Sequence, residues 1–417
     1  MNRKDFEIMA PVGSFESLAA AIAGGADSVY FGIEGLNMRS RSSANFTVAD
    51  MKTIAEQCSK NGIKTYLTVN TIMFDGDMEL LRNILSEAKS AGISAVIVSD
   101  IAAIEMARDI GLEVHISTQA NISNTEALRF YSRYADVMVL ARELNLDQVS
   151  VISRAIDSRN ICGPNGEKIR LEMFCHGALC MAYSGKCYMS LHKMNSSANR
   201  GACNQICRRS YHLTDRETGD SIDVENQFLM SPKDLKTIHF LNKMVDAGVK
   251  VFKIEGRARG PEYVRETVEC YSEALDAICN GTFNEEKITH WDTRLEKVFN
   301  RGFWNGYYLG QRLGEWSSKY GSSATRTKIY AAKALRYFSK LGVGEFLLEN
   351  GFLSVGDEVV LTGPTTGAVI FKIEELRLDV DPVERVEKGS KFSTPVPEKC
   401  RQSDRLYKWI ETDNLKK

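Results

Sequence analysis

The chain has 417 residues, 43% of them apolar, with 53 Lys and Arg against 54 Asp and Glu. That length exceeds one compact domain of ordinary size, so two or three domains with a sizeable core are expected. Balanced charge excludes a global field that would announce a nucleic-acid or membrane partner and leaves any charge signal local. The opening MNRKDFEIMAPVGSF puts Asp5 and Glu7 where a secretory leader needs an unbroken apolar core. No apolar run approaches the roughly 18 residues of a membrane span. The expectation is a soluble, cytoplasmic protein with no membrane partner.

A unit recurs from the N-terminus: an amphipathic helix, a glycine able to end it in a left-handed conformation, and a short β-branched run. It reads AIAGGADSVYFGI, CSKNGIKTYLTVN, AKSAGISAVIVSD, ARDIGLEVHIS and, much later, MVDAGVKVFKIEG. With EIMAP, ADVMVLA and RLEMFCH this predicts eight strands, at 7–11, 28–33, 64–70, 95–99, 113–117, 136–141, 170–175 and 249–254. Eight strands mostly followed by helices over about 320 residues predict an α/β fold, a (β/α)8 TIM-like barrel, in preference to a doubly wound sheet. No GxGxxG or GxxxxGKS/T follows the first strand, which removes the main argument for the rival. In such a barrel, chemistry belongs at the C-terminal ends of the strands.

The stretch 176–230 breaks the repeat: it is long, rich in Cys, Ser, Asn and Gly, and precedes a helix expected to open at Ser231-Pro232-Lys233-Asp234. A cysteine-rich insertion of that size is read as functional. After about residue 325 come short strands and turns (TKIYAAKALRY, GEFLLE, VGDEVVLTGP, GAVIFKIEEL). They predict a small C-terminal all-β, barrel-like domain over 326–417 beside a catalytic domain over 1–325. VGDEVVLTGP resembles the turn and strand of translation-factor β-barrels.

Ten cysteines divide into two groups. Cys58, Cys270, Cys279 and Cys400 are scattered and read as core fillers. Cys162, Cys175, Cys180, Cys187, Cys203 and Cys207 fall in one short segment, and clustered thiols in a reducing compartment bind metal more often than they pair. Cys180, Cys187, Cys203 and Cys207 run C-x6-C-x15-C-x3-C and can supply four thiolates to one site. Zinc favours gaps of two to four residues within each pair and iron–sulfur clusters accept more varied spacing, so spacing leaves both open. Gly185 and Gly201 lie near cysteines, where they would let backbone N–H groups approach sulfur.

Charge in this segment is one-sided. No carboxylate occurs between Glu172 and Asp215, whereas Lys186, Lys193, Arg200, Arg208 and Arg209 are basic. Such a loop offsets an anionic cluster or grips phosphates. His176, His192 and His212 also sit here, and Tyr183, Tyr188 and Tyr211 offer rings on which a base can stack. The plainer alternative is a solvated basic loop around a structural metal.

Polar residues follow the expected strands: Asn70 the third, Thr118, Gln119 and Asn121 the fifth, Arg142 the sixth, His176 the seventh, and Glu255, Arg257 and Arg259 the eighth. In a barrel they ring one mouth. Taken singly they have plainer roles: Glu255 and Arg257 as a surface pair, Asn121 or Asn124 as a helix cap. Taken together, Asn70, Gln119, Asn121, Arg142, Arg200 and Arg259 are candidate substrate-binding residues, and His176, Glu255 and Arg257 candidate catalytic ones. Arginines suit bidentate contact with carboxylate or phosphate. His176 is either a general acid or base or a hydrogen-bonded filler. No HExxH and no GxSxG elbow is present to carry a hydrolytic mechanism.

The segment Glu172 to Ser190 resembles the signature of peptidase family U32, the collagenase-like proteins, E-x-F-x-x-G-(S/A)-(L/I/V/M)-C-x4-G-x-C-x-(L/I/V/M)-S, at every specified position. The likeness extends through APVGSFESLAAAIAGGADSVYFG, STQANISN and IEGRARGPEYV. The family name implies a peptidase. Its better understood members, the resemblance also implies, are oxygen-independent hydroxylation proteins with a four-iron, four-sulfur (4Fe-4S) cluster, acting on tRNA, ribosomal RNA or a ubiquinone precursor. One signature segment and a single small β domain most resemble the tRNA hydroxylation branch, which makes 5-hydroxyuridine at the wobble position with prephenate as co-substrate. The family's cluster ligands map onto Cys180, Cys187, Cys203 and Cys207, with Cys175 as a spare. Arg142, Arg257 and Arg259 are the arginines expected to hold the prephenate dicarboxylate. The implied partners are the tRNA anticodon loop and a second subunit of the family or an iron–sulfur electron donor. The alternatives are a peptidase or collagenase, and an RNA-binding maturation partner with a structural metal.

Overall fold

The computed structural model describes residues 1–40, 45–182, 186–224, 231–317 and 321–412. Eight parallel strands form the scaffold: β1 (Glu7–Pro11), β2 (Ser28–Phe31), β3 (Lys64–Val69), β4 (Ala95–Val98), β5 (Glu113–Ile116), β6 (Val137–Val139), β7 (Arg170–Gly177) and β8 (Val249–Ile254). Each pairs with its successor through β7, and β8 pairs with both β7 and β1, so the sheet closes into a barrel. Closure excludes the doubly wound alternative. The strands are buried almost throughout, as parallel strands covered on both faces must be.

Helices α1 (Phe15–Ala23), α2 (Asp50–Lys60), α3 (Met78–Ser90), α4 (Ile101–Ile110), α5 (Thr125–Tyr131), α6 (Leu146–Ser158), α7 (Leu241–Asp246) and α8 (Pro261–Cys279) alternate with the strands. Several starts are fixed by side-chain caps: Ser14, Asp100, Asn124 and Asn145 each accept a backbone N–H from the first turn. The five glycines of the recurring unit, Gly25, Gly62, Gly92, Gly111 and Gly248, all have positive φ, which is what turns each helix into its strand. Among the described residues no helix is long and apolar enough to cross a membrane.

Inside the barrel Met9, Tyr30, Tyr66, Ala95, Ile97, Val137 and Val251 pack together. At the N-terminal end the buried Glu7 is satisfied by its neighbours. Glu7 accepts from Tyr66 Oη at 2.8 Å and Arg170 at 2.9 Å, with Lys64 at 3.7 Å.

One expectation fails at 231–234. No helix opens there; Asp234–Lys236 is a short strand antiparallel to the end of β7, pairing Leu235 with Gly177 and Lys236 with His176. β7 runs two residues further than the sequence implied, and its exposed edge recruits this segment. The Asp234 N–H is bonded to Gly302 O at 2.9 Å, and helix α7 begins only at Leu241.

Beyond residue 325 the chain forms an antiparallel sheet of eight strands, among them Arg326–Phe338, Val343–Leu348, Glu358–Gly363, Gly367–Lys372 and Arg405–Glu411. It has its own apolar cluster around Phe346, Leu361 and Phe392. The strand Gly367–Lys372 lies against α1 and α8. Gly367 is obligatory at that contact, because a Cβ there would stand 2.7 Å from the Ala20 nitrogen.

Candidate active site

The C-terminal ends of the barrel strands open into a cavity of about 500 Å³. Tyr30, Thr68, Asn70, Ile97, Phe174 and Lys253 form its floor, and the insertion after β7 supplies its wall. Cys180, Cys187, Cys203 and Cys207 all line it. Burial pushes the Cys207 thiol above its ordinary value against the pull of Arg208, and Cys180, Cys203 and Cys187 each add to the rise, so the four sulfurs feel one another. Among the described residues no three His, Cys, Asp or Glu side chains converge closely enough to hold a single metal ion.

The cysteine wall is tied to the barrel by backbone contacts. Arg142 lies 3.8 Å over the Phe174 ring and donates to Ala178 O at 3.1 Å, while Arg208 donates to Leu179 O at 2.7 Å. These bonds fix the chain leading into Cys180. Further along, Asn199 Oδ1 accepts the Cys187 N–H at 3.2 Å. Gly201, with φ 80°, faces the β2–α2 loop, where a Cβ would lie 2.2 Å from Asn37 O; it makes room for that loop, not for sulfur. Gly185 and Tyr183 lie outside the described residues.

Electrostatically the cavity is lopsided. Arg39, Arg142, Lys186, Arg208, Lys253, Arg257, Arg259 and Arg301 line it, against one lining carboxylate among the described residues, Glu255. Burial alone would raise the Glu255 carboxyl, but Arg39, Arg142 and Arg257 hold it below its ordinary value. Its Oε1 receives Arg39 at 3.0 Å and its Oε2 the Tyr30 hydroxyl at 3.2 Å. Glu255 and Arg257 are thus not a surface pair. Arg257 donates to Thr68 Oγ1 and to Asn37 Oδ1, both at 3.0 Å, and burial pushes its guanidinium down to about 10. Gly32 is needed beside it, since a Cβ would lie 2.1 Å from an Arg257 nitrogen. Arg259 stacks 3.5 Å over Phe299.

Of the expected site residues, Asn70, Gln119, Arg142, Glu255, Arg257 and Arg259 share this cavity with the four cysteines. Asn70 Nδ2 reaches Gln119 Oε1 at 3.3 Å and Ser117 Oγ at 3.4 Å. Three others are placed elsewhere. His176 lies behind the mouth, 1% exposed, with Nδ1 3.3 Å from Tyr271 Oη and its ring against Tyr263, Tyr271 and Phe303. Burial, with Lys236 and Arg259 nearby, pushes it down to about 3, so it is neutral at pH 7. Arg200 grips Asp77 with two nitrogens, donates to Ile72 O and stacks on Phe74, and so straps the insertion to the β3–α3 loop. Asn121 ends a short 3-10 turn in a left-handed conformation (φ 51°); the cap of α5 is Asn124.

The remaining cysteines are not on the cavity. Cys175 is buried with its thiol toward Lys253 O at 3.4 Å, and Cys162 sits before β7 near Asn160. Cys58, Cys270 and Cys400 are buried and Cys279 half-buried. His212 pairs with Asp223 on an exposed hairpin, Tyr211–Thr214 with Ser221–Val224.

Lys253, Arg39 and Tyr30 were not singled out from sequence. A signal for Lys253 existed: in VKVFKI it lies two residues after Val251, whose side chain packs inside the barrel, so a charge there faces the interior.

The sequence profile of peptidase family U32 matches residues 13–318. A protein named collagenase from Porphyromonas gingivalis is 64% identical over 409 residues, 98% of this chain and 99% of that one. The tRNA hydroxylation protein P1 of Bacillus subtilis is 32% identical over 86% of this chain and 83% of its own. An Escherichia coli 23S rRNA 5-hydroxycytidine synthase is 35% identical over 74% of this chain and 46% of its own. This chain belongs to peptidase family U32.

Proposed function

We propose that this chain is an oxygen-independent RNA hydroxylase that makes 5-hydroxyuridine at the wobble position of tRNA, with prephenate as co-substrate and a 4Fe-4S cluster on Cys180, Cys187, Cys203 and Cys207. The observation that carries this reading is the meeting of all four thiols in one cationic cavity at the C-terminal mouth of the barrel. Relatives named for tRNA and rRNA hydroxylation support it.

The residues fit the group. Four thiols lining one cavity can supply the four ligands that such a cluster takes. The surrounding arginines and lysines offset the negative charge of a thiolate-bound cluster and favour an anionic co-substrate. When bound, the cluster would supply electrons or orient a substrate oxygen. The chain itself holds the cysteine loop through Arg142 and Arg208, and keeps Glu255 ionised beside Arg39. A wobble base already sits in a loop and needs little unstacking to enter a cavity of this size. Of the three arginines expected to receive prephenate, Arg142 and Arg259 remain candidates, whereas Arg257 is spent on Thr68 and Asn37. The reaction is assigned to the cytoplasm, with a second family subunit or an iron–sulfur electron donor as partner.

The collagenase name of the 64% identical relative favours a second reading, peptide hydrolysis. Against it, His176, at the end of β7, faces Tyr271 instead of a thiol.

Nucleoside mass spectrometry separates these readings. It is run on total RNA from cells lacking the gene, with other hydroxylation routes removed. Loss of 5-hydroxyuridine and its derivatives from tRNA, restored by the wild-type gene, is expected. Loss confined to 5-hydroxycytidine in ribosomal RNA would move the substrate there. An unchanged profile in both would overturn the RNA reading, and collagen cleavage that survives repurification would install the peptidase in its place.

A further inference from the structure

Lys253 is buried and under-used. Its side chain is 6% exposed yet lines the cavity floor, and its only hydrogen-bond acceptor among the described residues is Glu172 Oε1, at 2.7 Å. The Tyr30 and Phe174 rings flank the ammonium at 4.7 and 5.6 Å. An ammonium has three donors, so two are left without an oxygen. Glu172 is fully buried, and its Oε2 also lacks a partner among the described residues. Taking two charges out of water is repaid only when their remaining donors and acceptors are satisfied. Glu7, at the other end of the barrel, meets that condition with three partners; the remaining donors of Lys253 border the cavity, where a bound molecule's oxygens can reach them.

We propose that Lys253 is a substrate-binding residue, donating to a carboxylate oxygen of a small organic acid on the cavity floor, with the apolar part of that acid against Tyr30 and Phe174. Glu172 positions the ammonium. The carboxylate follows from the charge of the cavity, which among the described residues is lined by eight cationic side chains and one acid; behind that lining Glu172 pairs with Lys253 and Asp234 with Arg301, which still leaves cations in excess. The small size follows from the position, between strand ends and beneath the cysteine wall. The inference rests on the reading above, in which an acid is co-substrate, and it moves the grip on that acid from Arg257 to Lys253.

The test uses the full chain, purified without oxygen, and isothermal titration with prephenate and, separately, inorganic phosphate. Lys253→Met alone strands Glu172 and can unfold the barrel, so the deciding variant is K253M/E172Q, which removes both charges. It is expected to keep the wild-type iron content and melting temperature while binding prephenate about ten- to hundredfold more weakly, the scale of a lost charged hydrogen bond. Wild-type affinity in this variant would make the pair purely structural and overturn the proposal. So would a wild-type protein that binds neither anion, or one that binds phosphate alone. An unchanged tRNA profile combined with Lys253-dependent prephenate binding would leave this inference standing and remove the tRNA reading, so the two fail separately.

Discussion

The two ends of the barrel interior use the same buried polar chemistry to opposite effect. At the N-terminal end Glu7 is 5% exposed and surrounded by Arg170, Lys64 and Tyr66, so that charge and hydrogen bonding close on themselves. At the C-terminal end, among the described residues, Arg39, Arg142, Arg208, Lys253, Arg257, Arg259 and Arg301 line a cavity with one lining carboxylate and four thiols, with Glu172 and Asp234 paired behind it. A closed set contributes stability and nothing else. An open one, with cations in surplus, is less stable than it would be if neutralised, and its deficit is a capacity to bind anions.

The strongest way to break the comparison is to remove one thiol from the open end. Cys203→Ala should lose iron and RNA hydroxylation together, activity falling at least about a hundredfold while the barrel stays folded, because the cysteine wall lies outside the strand core. Iron quantitation and nucleoside analysis check it; full activity in an iron-free protein would sink a catalytic cluster. The counterpart at the closed end is Glu7→Gln. It should leave activity per folded molecule unchanged and cost about 3 kcal/mol, the low end for breaking a buried pair, since Arg170 keeps 32% of its side chain in water. Burial alone would raise the Glu7 carboxyl, but Arg170 and Lys64 hold it below its ordinary value. The stability it gives is therefore present above the unfolded carboxylate pKa and lost as pH falls through the folded one, and acid denaturation of the Gln variant should lack that component.

The barrel as a whole was legible in sequence because it rests on local rules, whereas the Glu7 set at its closed end was not singled out. Five glycines after five amphipathic helices specified the turns, and every one adopts positive φ. The C-terminal strands read from TKIYAAKALRY and VGDEVVLTGP are present for the same reason, period-2 patterning between turn residues. The open end was legible only as a neighbourhood. Strand-end position brought Asn70, Gln119, Arg142, Glu255 and the cysteines to one cavity, but position does not say which way a side chain turns. His176 ends β7 and still faces Tyr271, because Asp234–Lys236 extends the sheet beside it and closes it off. Arg200 belongs to the basic segment, yet Asp77, far away in sequence, claims it.

His176 gives the next test, since it borders the open end without joining it. Its folded pKa of about 3 lies below the unfolded value, so the neutral ring favours the fold. That contribution is full above about pH 6.5 and is lost as pH falls toward 3. Between pH 6.5 and 5 it amounts to about 2 kcal/mol, and His176→Asn should flatten that part of the stability profile in chemical denaturation. A variant that keeps the wild-type slope would put the acid sensitivity elsewhere. Loss of hydroxylation with the flattened slope would return His176 to the chemistry.

The smallest effect belongs to Arg200, which tests whether cationic surplus or mere basic composition marks the binding region. Arg200 is neutralised by Asp77, with 28% and 15% of their side chains exposed, and its guanidinium lies 4.3 Å over Phe74. Arg200→Ala should cost about 1 kcal/mol, as a partly screened pair does, and less in high salt. Because the charge is already spent, tRNA affinity in a filter-binding titration should stay within about twofold of wild type, whereas neutralising a phosphate contact would weaken it and lower the salt slope by about one. A drop in affinity at unchanged stability would mean that Asp77 releases Arg200 when RNA arrives, and that the open end extends onto the strap.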